Sequence, residues 1–222
     1  MSGFWTQALE IARKDLRTEV RTGEVFLITI PFGAVALMLI PLAVGTETAL
    51  LRNIGSGMYW TIVLLFGVLV ALRQSGVEGT TQEDLLSLLG IDPAARFAGR
   101  AGATTLLLLA FELVLGPVAL ALYDPQPKGW LWIAALIPLV AIGLGLLGTL
   151  AAAIATSIAS MALVPLLVAP LSVPILLAAS QTMDGLRYGN TILGWILLLV
   201  TMDLLLAVAG VLSARPLQEA SR

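Results

Sequence analysis

Residues 130–155 read WLWIAALIPLVAIGLGLLGTLAAAIA, a run without one charged side chain. A helix needs about 20 apolar residues to cross the hydrocarbon core of a bilayer, and this run is longer. Five stretches of similar character flank it: 25–44, 56–72 and 103–122 before it, 163–179 and 191–213 after it. Hydrophobic residues make up 59% of the 222-residue chain and charged residues 12%. Soluble domains carry roughly 25% charged residues, so the charge here is too sparse to give a globule of this size a wettable surface. The pattern predicts an all-α integral membrane protein: six transmembrane helices, an N-terminal amphipathic interfacial (elbow) helix, and a helix in a cytoplasmic loop between spans two and three. The whole of 1–222 reads as one transmembrane domain. Residues 25–44 are too long for the apolar region of a cleavable signal, and no small-residue cleavage pattern follows them.

Basic residues set the orientation. Arg13, Lys14, Arg17 and Arg21 precede the first span, Arg73, Arg96 and Arg100 lie between spans two and three, and Arg215 and Arg222 follow span six. Those nine face three, Arg52, Lys128 and Arg187, on the other side. Both termini are therefore expected in the cytoplasm. Net charge is −2, with no His and no Cys. That excludes a broad basic field for nucleic acid, disulfides, thiol catalysis and Ser-His or Cys-His arrangements. It also removes the two commonest protein ligands to haem iron, leaving Met or Tyr.

Two segments outside the spans carry pattern. In residues 4–22, Phe4, Ala8, Ile11, Ala12, Leu16 and Val20 recur at helical spacing, while Glu10, Arg13, Lys14, Arg17 and Arg21 lie mostly off that stripe. Trp5 suits a headgroup-level anchor. An interfacial anchor and an elbow that also touches a cytoplasmic partner both fit. In residues 77–100, Thr80 or Thr81 can cap a short helix with Glu83 or Asp84 in its first turn. Leu85, Leu86, Leu88 and Leu89 give it an apolar side, and Gly90 and Pro93 stop it. With few basic residues nearby to hold it on anionic lipid, a protein partner is favoured over the bilayer for that face.

Within the spans, Gly143, Gly145 and Gly148 match G-x-G-x-x-G, but at membrane depth and without the preceding strand a nucleotide site needs. They read as small residues for close helix packing, continued by Thr149, Ala151 and Ala152. Neither lysine, Lys14 nor Lys128, follows a Gly-rich loop, so there is no phosphate-binding loop for ATP. Glu112 in span three and Asp203 in span six are intramembrane acids with no Arg or Lys in any span to pair with. Such groups mark a translocation path or a regulatory contact, or are protonated and bonded to a neighbouring helix. In span five, Pro165, Pro170 and Pro174 should break the hydrogen-bond ladder repeatedly, leaving carbonyls for neighbours or water to satisfy. Static kinks and a moving hinge both fit.

The chain resembles the CcmB family, the B-type permease subunit of the cytochrome c maturation haem exporter, within the ABC-2-like transporters. The resemblance rests on Ala12-Arg13-Lys14-Asp15-Leu16-Arg17-Thr18-Glu19-Val20-Arg21. It rests also on Glu78-Gly79 followed by Glu83-Asp84-Leu85-Leu86 and Pro93, and on Ala169-Pro170-Leu171-Ser172-Val173-Pro174-Ile175-Leu176. Length and the six-span layout agree. One departure is Thr156-Ser157-Ile158-Ala159-Ser160-Met161, uncharged where relatives often carry basic residues. The resemblance implies a non-catalytic, homodimeric inner-membrane permease, surrounded by lipid and without a cofactor of its own. A CcmA-like ATPase would bind ATP, and a CcmC-like Trp-rich membrane protein and a CcmE-like periplasmic chaperone would handle haem. Residues 81–89 would be the coupling helix, with Glu78 beside it, and the N-terminal helix, through Lys14, Asp15, Arg17, Glu19 and Arg21, the elbow. Competing readings are another ABC-2-type exporter of a drug, lipid or polysaccharide, and a stand-alone proton-coupled transporter using Glu112 and Asp203. An intramembrane enzyme ranks last, with no His, Ser-Lys dyad or paired-Asp signature.

Overall fold

A computed structural model describes residues 3–23, 25–45, 47–77, 90–123, 129–158 and 160–220. The described elements are helical. They are α1 (Phe4–Thr22), a π-helical turn (Val25–Thr29), α2 (Ile30–Val44), α3 (Thr48–Val77), α4 (Pro93–Tyr123), α5 (Trp130–Ser157), α6 (Leu163–Tyr188) and α7 (Leu193–Ala220). Six of these helices are long and apolar enough to cross a membrane: Leu27–Val44, Thr48–Arg73, Pro93–Tyr123, Trp130–Ser157, Leu163–Tyr188 and Leu193–Leu217.

The uncharged run that decides the fold is the centre of the bundle. Helix α5 packs against α3, α4, α6 and α7. Its Val140, Leu144 and Leu147 meet Val63 and Phe66 of α3, Leu108 and Phe111 of α4, Ile175 of α6 and Leu199 of α7 in one cluster. Small residues permit this closeness. A Cβ at Gly143 would sit 2.6 Å from Asp203 Oδ1 and 3.1 Å from Ile175 Cδ1, and one at Gly148 would lie 3.1 Å from Ala71. A Cβ at Gly145 would collide with the Thr105 hydroxyl. The glycine pattern thus serves helix packing. Helices α2 and α7 lie at the edge of the bundle, each with 17% of its apolar window buried. Phe32, Leu39, Leu42, Leu204, Leu205 and Leu212 point outward, an apolar surface suited to acyl chains rather than water.

Most spans outrun their apolar runs. Helix α3 begins at Thr48 and α4 at Pro93, because the helix continues through polar interfacial residues such as Arg52, Asn53, Arg96 and Arg100. The start of α4 is set locally: the Ala94 N–H donates to Asp92 Oδ1 at 3.0 Å, and Pro93 stands at the first helical position, where a missing N–H costs nothing. Span five departs most from expectation. Instead of a short, repeatedly broken stretch over 163–179, α6 is one helix to Tyr188, ended by Gly189 at φ 76°. Pro165 falls in the first turn, whose N–H groups have no helical partner in any case. Pro170 and Pro174 lie inside the helix, and the Ser172 hydroxyl donates to the Ala169 carbonyl in that stretch at 2.8 Å. One face of α6 (Val164, Val168, Ser172, Ile175) is buried, while Leu166, Leu171, Val173 and Leu177 are exposed.

Helix α1 spans the residues its periodicity predicts. Ala8 and Ile11 are buried against α4, where Gly99 gives them room: a Cβ there would lie 2.5 Å from the Ala8 carbonyl oxygen and 2.9 Å from Ile11 Cβ. Trp5, Leu9 and Val20 face outward, so Val20 is off the packed stripe. Gly23, at φ 65°, ends α1 with its N–H on the Glu19 carbonyl.

Candidate functional site

Polar groups sort to the two ends of the bundle. At the end that holds both termini, Glu19 pairs with Arg73 at 3.5 Å. The Asp92 N–H donates to Gln7 Oε1 at 3.0 Å, and Arg215 of α7 reaches Asp92 at 3.8 Å. Asp15 acts electrostatically on Arg100, while Lys14 lies 3.5 Å from Asp15. Arg17 and Arg21 are exposed. Helix α1 is therefore tied to the last turns of α3 and the first residues of α4. These flank residues 78–89. The proposed coupling residues Glu78, Thr81, Glu83, Asp84, Leu85, Leu86, Leu88 and Leu89 lie outside the described residues. At the other end, the Arg187 guanidinium donates to the Arg52 carbonyl at 2.7 Å and the Ser56 hydroxyl to Asp184 at 3.5 Å.

Between the two ends sit the intramembrane acids. Glu112 is completely buried and Asp203 nearly so, and none of their four carboxyl oxygens has a hydrogen-bond partner. The structure does not bring them together. Asp203 of α7 abuts Gly143 of α5. Glu112 lies across the interface with α3, where the Tyr59 hydroxyl donates to the Glu112 carbonyl at 3.0 Å. An ionised acid at mid-bilayer costs about 2.5–3.5 kcal/mol on insertion scales, and a buried, unbonded polar group costs about 1–3 kcal/mol. Neither carboxyl is bonded to a neighbouring helix among the described residues.

Glu112 borders a cleft of about 200 Å³. Its aromatic wall comes from three helices: Tyr59 and Trp60 of α3, Tyr123 of α4 and Trp130 of α5. Tyr59 and Trp60 meet edge to face at 4.9 Å. The Tyr123 hydroxyl donates to the Leu37 carbonyl at 3.0 Å, and its ring lies against Gly55, where a Cβ would come within 2.7 Å. Trp60 Nε1 is buried without a partner. Asp203 is not part of this cleft. Sequence reading found Glu112 but not its aromatic neighbours. Their one signal was the Tyr59-Trp60 pair within an apolar run, since buried Tyr and Trp ordinarily need a partner for their polar atoms. A second, smaller pocket of about 60 Å³ lies at the terminal end, bordered by Arg96, Phe97, Arg100 and Thr149. Among the described residues no His, Cys, Asp or Glu cluster is placed to hold a metal.

Six helices long and apolar enough to cross a membrane define the class: a multi-pass membrane protein. Residues 6–218 match the family described as CcmB protein. The chain is 30% identical over 177 residues to heme exporter protein B of Rhodobacter capsulatus, covering 76% of this chain and 78% of that protein. It is 26% identical over 184 residues to heme exporter protein B of Haemophilus influenzae, covering 80% and 81%. The chain belongs to the CcmB family.

Proposed function

We propose that this chain is the non-catalytic permease subunit of an ABC complex in cytochrome c maturation. It would work as a single transmembrane domain of the bacterial inner membrane, with both termini cytoplasmic. The observation that carries this is the family match from residue 6 to residue 218, supported by two relatives named heme exporter protein B. The chain pairs with a second copy and with a CcmA-like ATPase, which binds and hydrolyses ATP. Haem is cargo of the complex, handled with a CcmC-like membrane protein and a CcmE-like chaperone. With no His in the chain, iron ligation by imidazole falls to those partners, and this subunit's part is mechanical.

The coupling helix is residues 81–89, whose leucine face seats in a groove on the ATPase. Its flanks support that assignment: Arg73 ends a span on one side and Asp92 immediately precedes one on the other, and α1 holds both. A push on the loop would move α3 and α4 as a pair. These two helices carry Tyr59, Trp60, Glu112 and Tyr123, so the push reaches the cleft directly. Pro170 and Pro174 would ease bending of α6 in the same cycle, and Asp203 would report its movement to α5.

The test is affinity purification from native membranes in mild detergent, with mass spectrometry and a visible spectrum. A co-purifying ATPase with a Trp-rich haem-binding membrane protein and haem absorbance is expected. An ATPase without the haem partner would reassign the chain to another ABC-2-type exporter. Absence of any ATPase would overturn the reading in favour of proton-coupled transport.

A further inference from the structure

The cleft beside Glu112 combines three features. It is large enough for a ligand: a 150 Å³ apolar cavity takes up benzene, and this one measures about 200 Å³. It is aromatic, with Tyr59, Trp60, Tyr123 and Trp130 in its wall. It holds an unpartnered acid: both Glu112 carboxyl oxygens lack a hydrogen bond, and among the described residues no Lys or Arg borders the cleft. Asp184, which accepts the hydrogen bond from Ser56 at the cleft's edge, lies at the same end as Arg52 and Arg187, so the acid without a counter-charge is Glu112 alone. Apolar walls select an apolar body. Aromatic faces attract a cation, with Trp the strongest. A buried carboxyl acts across several ångströms where the dielectric is low.

We propose that this cleft is a binding site for an apolar organic cation, a tertiary or quaternary ammonium whose hydrocarbon part fills the space between α3, α4 and α5. Its charge rests against the aromatic wall, within reach of Glu112. The ammonium then supplies Glu112 with the partner that no described residue gives it. A hydrated inorganic cation is disfavoured, since little in the wall besides Ser56 and Glu112 can replace its water. An anionic amphiphile is disfavoured by Glu112 in the wall.

The test uses the full chain purified in a choline-free detergent. Benzyltrimethylammonium is the probe and neopentylbenzene, which has the same shape and no charge, the control. Binding is followed by quenching of tryptophan fluorescence and by ligand-observed NMR. Saturable binding of the cation is expected, at least tenfold tighter than the neutral isostere. Glu112→Gln should weaken the cation roughly tenfold and leave the isostere unchanged. Equal affinities for cation and isostere in the unmodified chain would overturn the proposal without reliance on any variant. So would Glu112→Gln binding the cation within twofold of the parent, or no saturable binding of the cation at all.

Discussion

Gly99 offers a direct test of whether α1 is part of the bundle or merely lies beside it. A Cβ there would stand 2.5 Å from the Ala8 carbonyl oxygen and 2.9 Å from Ile11 Cβ. Ordinary contact begins near 3.4 Å, so α1 must retreat by about 0.9 Å. The obstructing atoms are backbone oxygen and a β-carbon, and neither can swing away by changing rotamer. Overpacking of this kind costs about 1–3 kcal/mol, which shifts a docked–undocked equilibrium about 5- to 150-fold. Gly99→Leu, with more to place, should fall at the upper end. The chain has no cysteine, so introduced pairs report cleanly. Gln7→Cys with Asp92→Cys, bridged by a short bis-thiosulfonate in native membranes, should cross-link in the parent and lose most of its yield with Gly99→Leu. Gly99→Ala should fall between. An undiminished yield with Gly99→Leu would show that Ala8 and Ile11 do not pack on α4, and would refute the docking of α1.

Gly143→Val places a side chain where Asp203 Oδ1 and Ile175 sit; detergent-solubilised protein should lose about 1–3 kcal/mol, read as a lower thermal midpoint. Tyr123→Phe removes the donor to the Leu37 carbonyl and should cost about 0.5–1.5 kcal/mol, measured in the same melt. Replacing Leu85 and Leu86 together by Asp should leave membrane insertion intact and abolish co-purification of the ATPase; retained ATPase would refute the coupling-helix assignment. Glu19→Gln weakens a partly exposed ion pair with Arg73 and should change stability by less than about 1 kcal/mol, with any effect fading in high salt.

The six spans were legible because hydrophobic burial in lipid leaves a signal in every residue of the run. Helix ends were not: hydropathy marks where the hydrocarbon stops, whereas the backbone ladder continues through Arg52 and Arg100. The prolines of span five misled for a related reason. Each removes one donor, but a helix flanked by packed neighbours keeps its path, and Pro165 sits where no donor was needed. The stripe on α1 announced a buried face, and Ala8 and Ile11 bear it out. Its partner was hidden, because only the absence of a side chain at Gly99, some 90 positions along, makes the contact possible. The cleft was half visible: an acid in a span stands out, while four aromatics scattered over residues 59–130 become a wall only when three helices meet.

Helix α1 also works as a ruler. It meets Asp92 through Gln7 and Arg73 through Glu19, two contacts twelve residues apart on one rigid rod, or about 18 Å at 1.5 Å per residue. The ends of the chain between Arg73 and Asp92 are thereby held at a set separation. Bringing two ends of chain that far apart in sequence together ordinarily costs conformational entropy, and here the contacts of α1 meet that cost during folding. Loosening either contact at α1 should therefore free that separation without altering a single residue between Arg73 and Asp92.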